Sequence, residues 1–179
     1  MLKKWVGLKK WVGAMMVLAL SGCTTTQETA MDAQVAAMSN CDKIDALIAG
    51  HKSGFPQLRR SLSSAKVMQV WKARYHLVGD SCQVWEWSAE KFSYVCSLIE
   101  PNEETAMDHF GKAKAITREC LSAEWVMQEG KRDLGAGVKA EFSKPGEATV
   151  VTVVAASSPT VFSTEWKTYY FVCDPNDIK

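Results

Sequence analysis

The sequence has few histidines and no long apolar run. Its 179 residues include three histidines, and none of them forms an H-x-H or H-x-x-x-H pair, so there is no local zinc motif. No two cysteines have the C-x-x-C spacing of thioredoxin-like redox sites. The apolar stretch at residues 13–20 has eight residues, whereas a membrane-spanning helix needs about twenty. Local motifs therefore predict no metal site, no cofactor and no catalytic residues.

A large charge of either sign is also absent. Lysine and arginine together number 21, and the acidic residues number 20. Four of the lysines lie before residue 11, which leaves 17 basic against 20 acidic residues in 23–179, a net charge of −3. Nucleic-acid-binding domains usually carry a basic surface, so we do not expect nucleic acid as a partner.

The N-terminal segment has the layout of an export signal. Its lysines precede the apolar residues 13–20, and the small residues Ser21 and Gly22 lead to Cys23. The motif Leu20-Ser21-Gly22-Cys23 resembles the lipobox of bacterial lipoproteins. The resemblance implies that residues 1–22 are removed and that Cys23 is acylated on sulfur and nitrogen. The protein would then be held at a membrane by lipid on Cys23, because more than one acyl chain gives stable anchoring.

The residue after the lipidated cysteine bears on the destination of the protein. In bacterial lipoproteins an aspartate at that position tends to retain the protein in the inner membrane, and here the residue is Thr24. The resemblance therefore implies the periplasmic face of the outer membrane rather than the inner membrane. Residues 23–39 are polar and rich in alanine, which predicts a tether. Residues 40–179 have the length of one domain.

Hydrophobic periodicity predicts an α+β domain with the order α-βββ-α-ββββ. Asn40 is expected to cap the first helix, which begins at Cys41, and Pro56 to open a short helix that carries Leu58 and Leu62. Asn102 is expected to cap the second main helix, whose inner stripe is Ala106, Phe110, Ala113, Thr117 and Cys120. The expected strands are residues 68–77, 82–87, 92–99, 124–128, 138–143, 148–155 and 164–173. We expect an antiparallel sheet with the two main helices on one face.

Five cysteines follow Cys23, and export favours disulfides between them. A turn centred on Ala89 places Cys82 opposite Cys96 on neighbouring strands, so these two residues are expected to form a disulfide. Cys41 and Cys120 are the second expected pair, which leaves Cys173 as the remaining thiol. The alternative is a Cys120–Cys173 bond with Cys41 left over.

The first three strands are expected to present a polar and aromatic face. In the expected register Arg74 lies opposite Trp85 and Lys72 lies opposite Trp87, which places cations over indole rings. The candidate binding residues are Lys72, Arg74, His76, Gln83, Trp85 and Trp87. Tryptophan and arginine are enriched at binding hot spots. The alternatives are a purely structural ladder of side chains and a face covered by the C-terminal segment.

These features favour a lipid-anchored envelope protein with a non-catalytic binding or accessory domain. Its partner would be a protein or another envelope component. Two other classes stay open, namely an envelope hydrolase without a local motif and an immunity protein that neutralises a periplasmic toxin.

Overall fold

The computed structural model describes residues 23–64, 68–132, 135–159 and 164–178. The predicted signal peptide, residues 1–22, lies outside the described residues. The helices are α1 Cys23–Ala37, α2 Asn40–Gly50 and α3 Glu103–Cys120, with short 3-10 helices at His51–Ser53 and Pro175–Ile178. The strands are β1 Arg59–Ser64, β2 Gln69–Ala73, β3 Ser81–Ser88, β4 Lys91–Glu100, β5 Val126–Lys131, β6 Gly137–Ser143, β7 Val150–Pro159 and β8 Thr164–Cys173.

The eight described strands form one antiparallel sheet in the order β1-β2-β3-β4-β8-β7-β6-β5. The predicted α+β class is therefore confirmed, but the predicted order is wrong because four strands precede α3 instead of three. The missed strand is β1, which lies in the region where a short helix was expected after Pro56. Leu58 is buried whereas Leu62 is 50% exposed, so the two leucines do not share the buried face that the helix required.

Local capping explains where α2 and α3 begin. Ser39, rather than Asn40, caps α2 through a reciprocal capping box with Asp42. Asn102 caps α3 as predicted, with its side-chain oxygen accepting the Thr105 N–H at 2.9 Å. Four residues of the predicted inner stripe of α3 are buried, namely Ala106, Phe110, Ala113 and Thr117, and the fifth, Cys120, is half-buried.

The segment predicted as a tether is helical over α1. Asp32 on this helix accepts hydrogen bonds from the guanidinium groups of Arg60 and Arg74. Val35 and Met38 pack against the domain core. Polar and apolar contacts therefore hold α1 against the domain near β1 and β2.

Two buried tyrosines join neighbouring elements to the centre of the sheet. The Tyr170 hydroxyl on β8 lies 3.0 Å from Thr117 Oγ1 on α3, and Tyr94 on β4 donates to the Tyr75 carbonyl at 2.9 Å. Burial raises the pKa of both phenols. α3 thus packs on the central strands through a polar contact as well as its apolar stripe.

The structure contains disulfides at both expected pairs of cysteines. Cys82 and Cys96 are direct partners across β3 and β4, and their sulfurs are bonded. The second bond joins Cys41 in the first turn of α2 to Cys120 at the end of α3, with 4.8 Å between the Cα atoms. Cys173 lies outside both disulfides and is buried.

Candidate functional site

A groove lies on the sheet face that turns away from Tyr94 and Tyr170. Side chains alternate across a strand, so the neighbours of these core tyrosines point to the opposite side. Twelve residues line a cavity of about 600 Å³ there, which we call the outer groove. They are Trp85, Trp87, Ser93, Val95, Arg132, Glu141, Thr152, Val154, Tyr169, Phe171, Cys173 and Pro175. The volume is within the range of small-molecule pockets.

Two tryptophans of β3 form one wall of the outer groove. The rings of Trp85 and Trp87 meet edge to face, with their centroids 5.1 Å apart. The Trp85 indole N–H donates to Gln83 Oε1 at 2.7 Å, and the Trp87 indole N–H donates to Ser93 Oγ at 2.9 Å. Both indole N–H donors are paired with neighbouring side chains of the sheet, so the half-buried rings offer apolar surface to the groove.

The floor of the groove is a second buried apolar cluster. Val95, Val154 and Cys173 are buried, yet they do not belong to the main core cluster on the other face. Tyr169 and Phe171 stack beside them, with centroids 5.5 Å apart and planes inclined by 17°. The floor is therefore already packed, and the space above it is open to a ligand.

Charge is confined to the side of the groove opposite the tryptophans. Glu141 on β6 is paired with Lys139, with 3.2 Å between the charged atoms. Arg132 directly follows β5 and is half-buried. It makes no ion pair with any residue that the structure describes. The outer groove therefore has an aromatic wall at β3 and a cationic side chain near β5 and β6.

The predicted Trp/Arg face is only partly assembled. Lys72 lies opposite Gln83 rather than opposite Trp87, and Val70 lies opposite Trp85. The expected register was wrong by four residues because β2 ends at Ala73 and a long connection, not a tight turn, leads to β3. Side chains alternate between the two faces of a strand, so a shift of four residues leaves Lys72 on the face where it was predicted.

Arg74 and His76 lie away from the outer groove. Only 3% of the Arg74 side chain is exposed, because Asp32 and Glu28 of α1 cover its guanidinium. His76 is exposed in the connection after β2, and Lys72 is exposed near the end of β2. Of the predicted binding residues, Trp85 and Trp87 line the groove, and Gln83 accepts a hydrogen bond from the Trp85 indole.

The second part of the chain supplies half of the groove, and local sequence patterns did not predict this half. Tyr169 and Phe171 come from β8, which pairs with β4, and Thr152 comes from β7, which pairs with β8. The alternation of residues 164–173 already separates Tyr170 from Tyr169 and Phe171. β8 pairs with β4, which is distant in the chain, and no local sequence pattern indicates this pairing.

Two buried polar side chains away from the groove, Glu100 and His51, have hydrogen-bond partners within the domain. Glu100 is buried and accepts a hydrogen bond from Thr168 at 2.8 Å, and its carboxylate lies 2.7 Å from His109 Nδ1. The buried His51 lies 2.8 Å from Thr149 Oγ1, and its Nε2 lies 3.2 Å from the Phe92 carbonyl oxygen. Within the described ranges, no three His, Cys, Asp or Glu side chains are grouped as metal ligands would be.

Comparison with protein-family models, with curated proteins and with solved structures found no match to the chain. In the part of the chain that the structure describes, no helix has both the length and the apolar character required to cross a membrane. The outer groove and the N-terminal sequence are therefore the features of this protein that bear on its function.

Proposed function

We propose that this protein is a lipoprotein of the bacterial outer membrane whose periplasmic domain binds an envelope component in the outer groove without catalysing a reaction. The observation that carries the proposal is the outer groove itself. It combines four aromatic side chains and a half-buried arginine on one sheet face, a composition typical of binding hot spots.

The placement of the helices supports this use of the sheet. α3 packs through Thr117 and Ala106 on the face of Tyr170, and the Cys41–Cys120 bond ties α2 to it. We infer that both helices lie on this one face, opposite the outer groove. One face then stabilises the domain while the other is available to a partner.

The membrane attachment rests on the sequence of the N-terminal segment. The charged start, the short apolar stretch and the motif Leu20-Ser21-Gly22-Cys23 together support acylation of Cys23. Labelled palmitate should enter the wild-type protein, whereas Cys23→Ser should stay unlabelled and unprocessed. Equal labelling of both proteins would refute the anchor.

Binding through the outer groove is tested by capture from detergent-solubilised membranes followed by affinity measurement on the purified component. Trp85→Ala should weaken binding by about 2 kcal/mol, the size of a hot spot, with little change in thermal stability because the ring is only half-buried. The matched control is Ile99→Ala, since Ile99 is 64% exposed on the same face of β4 but does not line the groove. Equal binding by wild type and Trp85→Ala would contradict the proposal.

A further inference from the structure

We propose that the outer groove binds a long-chain fatty acid, with the carboxylate at Arg132 and the acyl chain running across the strands toward Trp85 and Trp87. This inference rests on the proposed function, because it names the ligand class of the same groove. It follows from the polarity, the charge and the length of the groove.

The polarity of the groove favours an acyl chain over a sugar or a peptide backbone. Sugars and peptides require many hydrogen-bonding groups on the protein. Here both indole N–H donors are already paired with neighbouring side chains, Gln83 and Ser93. The other polar side chains in the lining are few, namely Thr152, Tyr169, Glu141 and Arg132. Val95, Val154 and Phe171 add only apolar surface. A ligand in this space therefore gains most by removing its own apolar surface from water.

The charge distribution favours an anionic head group at one end. Glu141 is paired with Lys139, and Arg132 is the cationic side chain among the residues that line the groove. Arginine binds carboxylates through paired N–H donors. The tryptophan wall belongs to β3, at the opposite end of the lining in strand order. An amphiphile with one anionic end matches this polarity.

The span of the groove sets the length of the chain. Its lining crosses five neighbouring strands, β3, β4, β8, β7 and β6. Four spacings of about 4.8 Å amount to about 19 Å. A saturated chain with carbon–carbon bonds of about 1.5 Å advances roughly 1.3 Å per carbon, so about fifteen carbons cover this distance.

The test uses photoactivatable palmitic acid and the full chain in phospholipid nanodiscs. One probe carries a diazirine at the terminal carbon and a second carries it beside the carboxylate. After irradiation, peptide mapping should place the terminal adduct on the peptide that contains Trp85 and Trp87, and the other adduct near Arg132 on β6 or β7. Unlabelled palmitate should compete with the probe, and its methyl ester should compete about tenfold less.

We compare three variants with the wild type by the same photolabelling in the same lipid. Partition of the probe into the bilayer is then equal in all samples and does not affect the comparison. Arg132→Gln should reduce labelling about tenfold through loss of a charge-assisted contact. Thr152→Trp should abolish labelling because it fills the middle of the groove. Lys112→Gln removes an exposed cation from α3 and should leave labelling unchanged.

Labelling that is scattered, or that is unaffected by both Arg132→Gln and Thr152→Trp, would overturn the fatty-acid assignment. The Trp85→Ala capture experiment distinguishes failure of the fatty-acid assignment from failure of the proposed function. If Trp85→Ala still weakens capture of an envelope component while no fatty acid labels the groove, then only the ligand class is wrong. If Trp85→Ala also leaves capture unchanged, both proposals fail.

Discussion

The Cys41–Cys120 disulfide provides a quantitative test of how the helices are held. It closes a chain segment with a sequence separation of 79. In the chain-entropy model a loop of that size stabilises the folded state by about 4.5 kcal/mol at 25 °C. Both cysteines are half-buried, so the loss of their packing adds less than about 1 kcal/mol each. Nearly all of the effect therefore comes from the covalent bond.

A double-mutant cycle isolates this contribution. Cys41→Ala and Cys120→Ala should each lower the free energy of unfolding by about 4–5 kcal/mol, and the double variant should lose little more, because each single change already breaks the bond. Urea denaturation under non-reducing conditions measures these values. Cys173→Ala is the control, since it lies outside both disulfides and should show no coupling to Cys41. Small, additive losses in the cycle would refute the bond.

Three further predictions concern stability and local order. Burial raises the pKa of Tyr94 and Tyr170, so the contribution of these two phenols to the free energy of unfolding should be constant with pH below about 10 and should fall above it. Tyr170→Phe should reduce the slope above pH 10 by about 1.4 kcal/mol per pH unit in urea titrations, and an unchanged slope would contradict the burial. Arg74→Met should speed hydrogen exchange in α1 but not in α3, because Arg74 binds Asp32 and Glu28 of α1. Equal protection of α1 in the wild type and the variant would show that apolar contacts alone hold α1 against the domain. Ser39→Ala and Asn102→Ala should each cost about 1 kcal/mol as lost caps, whereas Asn40→Ala should cost almost nothing, and a larger loss for Asn40→Ala would place the cap one residue later.

Local patterns predicted the parts of the fold that local interactions determine. The Asn102 cap and the apolar stripe of α3 lie within one helix, and residues 164–173 form β8 with the expected bounds. The β3–β4 hairpin closes over a short turn, so its register placed Cys82 opposite Cys96 correctly. In each of these elements the residues that decide the structure are near each other in the chain.

The errors arose where distant parts of the chain decide the structure. β1 has no clear alternation, and its pairing with β2 is interrupted by two register shifts. Arg74 looked like a surface cation on a strand, but α1 covers it from more than forty residues earlier in the chain. The outer groove combines strands from both halves of the chain, so its aromatic wall was predicted and its β7 and β8 side was not.

Site-specific photocrosslinking in living cells tests the binding role of the outer groove most directly. A photoreactive amino acid replaces Tyr169 in the groove or, as a control, Met107, which is exposed on α3. If the outer groove binds a partner, we expect one defined adduct from position 169, lost when Trp85→Ala is added, and no such adduct from position 107. The absence of an adduct at 169, or the same adduct at both positions, would contradict the proposal that the outer groove is the binding surface.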